Sequence, residues 1–232
     1  MGAPSTYAES FRNFVAYARR RESVSKAQLH QDLLVLFALA EKRGGYFVEV
    51  GASDGVELSN TYLLETAYGW RGILAEPARI WHAALARNRP GSEVDHRYVW
   101  SESGRQLEFV ETTQPVLSTL ASLVDADFFN ANDRVCKERY PVETVTLNDL
   151  LAAHGAPAAV DYLSVDTEGS ELDILRAVDF SKHLFSIITI EHNYRPDRER
   201  LAALLQPLGY VRVFDSLSAW DDWYVHRSAL KA

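Results

Sequence analysis

Hydrophobic and polar positions along this chain alternate between two periods. Phe11, Phe14, Val15 and Ala18 recur at helical spacing and run into Arg19-Arg20-Arg21, where cations suit a helix C-terminus. A second helix is expected over 27–42, stopped by Gly44-Gly45. From there strand and helix patterns alternate. Residues 46–50, 72–75, 94–100, 160–165 and 184–190 read as β-rich runs. Between and after them, 57–68, 80–88, 147–154, 169–178 and 196–205 carry helical spacing. Short additional strands are expected at 107–110 and 142–146, and 115–140 has no clean period, as an insertion or lid would. The chain closes with two strands, 210–214 and 223–225, and no helix between them.

Strands spaced by helices imply an α/β fold, a mostly parallel sheet with helices on both faces. The last two strands, lacking a helix, imply an antiparallel hairpin at one edge. The expected organisation is a helical extension over 1–43 followed by a single domain over 44–232. In such sheets ligands bind outside the carboxyl ends of the strands. That rule selects 49–55, Glu76, Trp100-Ser101, 166–169 and 191–193.

Composition narrows the class. With 47% hydrophobic residues over 232 positions the chain is a packed globule. A formal charge of −8 argues against nucleic acid as a partner. The longest apolar run, Leu33 to Ala40, is far short of the roughly 20 residues a membrane span needs. The expectation is a soluble, cytoplasmic protein without stable membrane insertion. Met1-Gly2 with Thr6 fits a loose lipidation pattern but reads as well as an ordinary terminus. The single cysteine, Cys136, has no disulfide partner within the chain.

The first turn, Glu49-Val50-Gly51-Ala52-Ser53-Asp54-Gly55, follows a strand and offers two glycines for close backbone approach. It lacks the third glycine of the dinucleotide fingerprint. Glu49, Asp54 and Glu57 stand where a pyrophosphate would sit, with no Lys or Arg from Tyr46 to Tyr68. A dianion is a poor guest there, and a cationic sulfonium with an ammonium group is a good one. S-adenosylmethionine carries both. Glu76, 25 residues after Gly51, can accept two ribose hydroxyls.

These residues resemble a known family. Phe47-to-Gly55, Ser59-Asn60-Thr61, Gly69-Trp70-Arg71-Gly72 and Ala75-Glu76-Pro77 are similar to the first half of the FkbM-type methyltransferases. Asp161-to-Gly169 with Glu171, and Ile190-Glu191-His192, are similar to the second half, and Gln28, Gln31 and Asp32 to a motif that precedes it. The resemblance implies a class I methyltransferase, Rossmann-like fold of seven strands. It also implies S-adenosylmethionine as cofactor, with Glu49, Gly51, Ala52, Asp54, Gly55, Glu76, Pro77 and Ser101 around it. The implied activity is O-methylation of a sugar, glycan or glycosylated natural product. Trp100 departs from the pattern, where a small residue is expected, and Ala27 replaces a serine.

Chemistry is expected at the later strand ends. His192 has the unperturbed pKa of a general base, and Asp166 can orient it or take the proton itself. Asp166, Glu191 and His192 are also a donor set for Mg²⁺ or Mn²⁺. Glu171 and Asp173 read as helix-start charges, and 130–134 as a polar loop. Trp220-Asp221-Asp222-Trp223-Tyr224 suits a sugar pocket but reads first as an edge turn and half-buried strand. Two other functions stay open at this point, a nicotinamide oxidoreductase on a similar sheet and a non-catalytic cofactor- or glycan-binding module. The N-terminal helices suit either a lid or a homo-oligomer contact.

Overall fold

A computed structural model describes residues 7–125 and 133–230. The lipidation pattern at Gly2 and the first three residues of the polar loop, Asn130 to Asn132, lie outside the described residues. The helices are α1 (Tyr7–Arg19), α2 (Gln31–Ala38), α3 (Tyr62–Tyr68), α4 (Arg79–Asn88), α5 (Leu147–Ala153), α6 (Glu171–Arg176) and α7 (Asp197–Leu205). The strands are β1 (Tyr46–Val50), β2 (Arg71–Ala75), β3 (Glu93–Asp95), β4 (Tyr98–Val99), β5 (Gln106–Thr112) and β6 (Thr119–Leu120). They continue with β7 (Cys136–Val145), β8 (Ala159–Val165), β9 (Leu184–Glu191), β10 (Tyr210–Val213) and β11 (Asp221–His226).

Seven strands form the main sheet in the order β3-β2-β1-β8-β9-β11-β10. The pairs β1–β2, β1–β8, β2–β3 and β8–β9 are parallel, and β11 runs antiparallel to both β9 and β10. This is the seven-stranded class I methyltransferase arrangement, with its antiparallel edge hairpin. The central strands are buried on both faces, which is why 160–165 and 184–190 read as continuous apolar runs rather than alternations. One face packs against α5, α6 and α7 through Leu150, Ile174 and Leu201. The other packs against α1, α2 and α3 through Phe14, Leu34 and Leu64. The N-terminal helices therefore cover the sheet: Phe14 stacks on Phe214 at 5.0 Å and meets Trp223 edge-on at 5.9 Å.

Three expected elements are shorter or broken, each for a local reason. The second helix begins only at Gln31 because Ala27 is spent on a parallel bridge to Leu58. The third begins at Tyr62 because the Glu49 carboxylate takes the Asn60 amide and the Ser59 and Thr61 hydroxyls. The expected strand 94–100 breaks at His96-Arg97. Its first part stays in the main sheet, and Tyr98–Val99 pairs with β7 in a second, four-stranded sheet ordered β4-β7-β5-β6. That second sheet gives order to much of 115–140. Strand β7 already starts at Cys136, and 115–125 contributes a short strand between two 3₁₀ turns. Arg134, expected in a polar loop, is buried and donates to the Leu117 carbonyl and to Glu168. No described helix is long and apolar enough to cross a membrane.

Candidate active site

A cavity of ≈ 500 Å³ opens where the sequence rule places it, beyond the carboxyl ends of β1, β2, β8 and β9. Among the described residues six carboxylates line it (Glu49, Glu57, Glu76, Asp166, Glu168 and Glu191) against one cation, Arg97. Its wall is backbone-constrained: Ser53, Leu58, Glu168, Asn193 and Tyr194 all line it with φ between 43° and 60°, in the left-handed region. Non-glycine residues hold that conformation only where their surroundings enforce it, and such positions gather at functional sites.

The first turn is fitted to its neighbours. A Cβ on Gly51 would stand 1.8 Å from the Asp166 carbonyl oxygen, so only glycine lets β1 leave beside β8. Ala52 and Pro77 line the cavity. Glu76 stands on its wall with Oε2 accepting the Ser53 amide at 2.7 Å and Oε1 the Ala78 amide at 2.7 Å. Burial pushes its carboxyl up to about 7, partly offset by those two amides.

Glu49 is more than a wall carboxylate. It is 2% exposed, and Arg89, whose side chain is fully buried, stands 3.8 Å away. Arg89 also donates to Glu65 at 2.8 Å, to the Gly55 carbonyl at 3.0 Å and to Thr61 at 2.9 Å. This network draws the chain between Gly55 and Thr61 under the cavity. Gly55 and Asp54, expected beside the cofactor, serve it from behind and do not line the cavity. A Cβ on Gly55 would meet Arg89 Cγ at 2.6 Å, and Asp54 Oδ1 accepts the Val56 and Glu57 amides. Ser101 is exposed and off the cavity wall, since the break at His96-Arg97 carries it past on the second sheet. Trp100 is off the wall too, and the aromatic groups that line the cavity are Trp81, Tyr98, Phe109, Tyr194 and Trp220.

At the far end Asp166, Glu168 and Glu191 bring carboxylate oxygens within 4.8 Å of one another. Burial raises both Asp166 and Glu191, and the negative charge of neighbouring carboxylates adds to it. Glu168 Oε2 is already paired with Arg134 at 2.7 Å. Asp221, opposite Glu191 in the strand register, is pushed up to about 8 by burial and then by Asp166, and accepts from Gln31 at 2.7 Å.

The expectation for His192 needs correcting. Its ring does not join Asp166 and Glu191, and it is off the cavity wall. Nε2 donates to the Asp221 carbonyl at 3.1 Å, and Nδ1 accepts the Tyr194 amide at 3.0 Å. Burial lowers its pKa, with Asp222 3.8 Å away acting in the opposite sense. Both ring nitrogens are committed to holding the chain reversal at 192–195. Strand alternation is the cause: Glu191 faces the cavity, so its neighbour faces away.

The sequence profile of the methyltransferase FkbM domain matches residues 49–224. The chain belongs to the FkbM methyltransferase family. No curated protein matches it. Among solved structures it is similar to methyltransferase FkbM from Methylobacillus flagellatus KT, with 15% identity and a TM-score of 0.48, covering 95% of this chain and 60% of that one. It thus spans 60% of that protein's length. It is also similar to a methyltransferase from Geobacter sulfurreducens (12% identity, TM-score 0.47, covering 97% of this chain and 90% of that one). A third is a TehB-like S-adenosylmethionine-dependent methyltransferase from Corynebacterium glutamicum ATCC 13032 (11%, TM-score 0.42, 96% and 100%).

Membership of the FkbM methyltransferase family implies S-adenosylmethionine, and the cavity fits that cofactor. Its lining is acidic, as a sulfonium and an ammonium require, and repels the pyrophosphate of a nicotinamide cofactor. Asn60 belongs to the motif Ser59-Asn60-Thr61, which by itself gives it no role. In the structure Asn60 lines the cavity, donates Nδ2 to Ser164 at 2.9 Å and keeps Oδ1 buried without a partner. An orphaned acceptor among carboxylates is where a cofactor ammonium would find its last hydrogen bond.

Proposed function

We propose that this protein transfers a methyl group from S-adenosylmethionine to a hydroxyl of a sugar, glycan or glycosylated natural product. The observation that carries the reading is the pair Asp166 and Glu191, a half-buried and a buried carboxylate, both of raised pKa, facing the cavity that the acidic first turn also lines. The bound cofactor supplies an electrophilic methyl on a sulfonium. The chain's own residues do the rest. Glu76 accepts the ribose hydroxyls, Pro77, Trp81 and Val99 offer the apolar wall an adenine needs, and Asn60 with Glu49 faces the ammonium.

An alcohol is a weak nucleophile until its proton leaves. Burial and mutual repulsion favour the protonated form of these two neighbouring carboxylates, and once ionised the pair can take the proton of the acceptor hydroxyl. Alignment of acceptor oxygen and methyl then provides the remaining rate gain. A Mg²⁺ or Mn²⁺ ion would be held by Asp166, Glu168 and Glu191, where it would lower the pKa of a bound hydroxyl, in competition with Arg134 for Glu168.

Calorimetric titration with S-adenosylmethionine and S-adenosylhomocysteine, with NAD(H) and NADP(H) as controls, tests the cofactor. Turnover of a panel of methyl glycosides, with and without EDTA, tests the acceptor and the metal. Micromolar binding of the first pair alone is expected, with Asp166→Asn lowering turnover by about 10²-fold or more and sparing that binding. Nicotinamide binding, or full activity in Asp166→Asn, would overturn the reading.

A further inference from the structure

One end of the cavity is built by residues that neither the cofactor nor the carboxylate pair uses. Asn193 is 7% exposed and lines the cavity, and its Nδ2 is buried without a hydrogen-bond partner. A buried donor left open at a cavity wall costs stability unless something fills it in use. Beside it Tyr194 is 66% exposed and held in the left-handed region by the His192 ring. The amides of His192 and Asn193 donate to the Trp220 carbonyl at 2.8 and 3.1 Å, which brings the Trp220 indole to the same wall.

The fourth side comes from far away in sequence. Gln28 lies on the wall and accepts the Trp220 Nε1–H at 3.2 Å. Three residues on, Gln31 donates to Asp221, the residue that follows Trp220. One residue before Gln28, Ala27 bridges to Leu58, whose side chain also lines the cavity. The profile of the FkbM domain begins at residue 49, so Ala27, Gln28 and Gln31 lie ahead of the matched domain while Leu58, Trp220 and Asp221 lie within it.

We propose that Gln28, Asn193, Tyr194 and Trp220 form the acceptor subsite, with the segment ahead of the FkbM domain as its closing wall. The assignment rests on the methyl-transfer reading above and adds the residues that choose the acceptor. The chemistry fits a polyhydroxylated ring: aromatic faces for its C–H side, and amide groups with a free donor for its hydroxyls. Glu191, two residues before Asn193 and opposite Asp221, sets the reacting hydroxyl beside the carboxylate pair. The N-terminal segment is then a specificity element of the enzyme.

The test uses the full chain saturated with S-adenosylhomocysteine and a panel of methyl glycosides, with binding read by calorimetry. Gln28→Ala removes an exposed side chain, and Asn193→Asp keeps a residue tolerant of the left-handed backbone while replacing the free donor. Both are expected to bind S-adenosylhomocysteine as the parent does and to lose about tenfold or more in glycoside affinity. Tyr194→Ala should weaken every glycoside in the panel, whereas Asn193→Asp should change their ranking. Unchanged glycoside affinity in all three variants would overturn the subsite. A parent protein that binds S-adenosylhomocysteine but no glycoside to millimolar concentration would overturn the carbohydrate assignment. Loss of S-adenosylhomocysteine affinity in Gln28→Ala would assign the segment to the cofactor instead. A parent that binds neither would count against the methyl-transfer reading itself.

Discussion

Arg89 shows how much one side chain can organise without touching a ligand. It has no exposed side-chain surface and joins Glu49, Glu65, Gly55, Ser59 and Thr61. Removing one partner of a buried ionic network leaves the others desolvated and unpaired, at a cost of about 3–5 kcal/mol. Arg89→Ala should therefore lower unfolding stability by that order in urea titrations and abolish cofactor binding, because the stretch over 56–61 loses its anchor. A loss below ~1 kcal/mol would mean the network is solvated in solution. The sequence shows Glu49 at a strand end and suggests a ligand contact. It cannot show that a cation forty positions later lies behind that carboxylate, since the expected helix stops at Asn88 and gives Arg89 no role. Glycine spacing was misleading for the same reason: Gly51 faces Asp166, whereas Gly55 makes room for Arg89.

At the scale of elements, the end of β9 separates the two candidate bases. Glu191 faces Asp166, while His192 spends both ring nitrogens on the reversal that presents Asn193 and Tyr194. The rate should rise with pH as the carboxylate pair loses its protons, since the base must be ionised. His192→Gln should lower kcat while leaving that limb in place. A His192 variant that abolished or displaced the limb would restore the imidazole as the base. The strand itself was legible from its apolar run, and period-two alternation already places neighbours on opposite faces. What the sequence hid was the second sheet. Strand β7 opens with exposed Cys136, Lys137, Glu138 and Arg139 and carries Pro141, so only Tyr140, Val142, Thr144 and Val145 mark its inward side. A pattern that begins four residues into a strand reads as irregular, and so the sequence marks 115–140, with the cavity wall at Pro115 to Ser118, as an insertion or lid.

For the whole molecule, the gathering of acids at one end of the sheet ties stability to pH and to the cofactor. Burial raises Glu76 to about 7, Asp221 to about 8 and Asp32 to about 6, against unfolded values near 4. A raised carboxyl stabilises the fold below its unfolded pKa and loses that contribution as pH climbs through its folded one. Asp95 works in the opposite sense. Hydrogen bonds from Arg97 and His154 outweigh burial and hold it at about 2, so its contribution is lost only as pH falls below about 4. The ligand-free protein should therefore be most stable in mildly acidic buffer, and its Tm should fall between about pH 5 and 8. A cationic ligand favours the ionised carboxylates, so at a fixed concentration S-adenosylmethionine should raise Tm by an amount that grows across this range. S-adenosylhomocysteine lacks the sulfonium charge, and its effect should grow less. Thermal melts of free and liganded protein across that range decide the matter. Equal shifts for the two ligands at every pH would mean that the acidic lining is not what selects the cofactor, whereas a widening gap would show its charge at work.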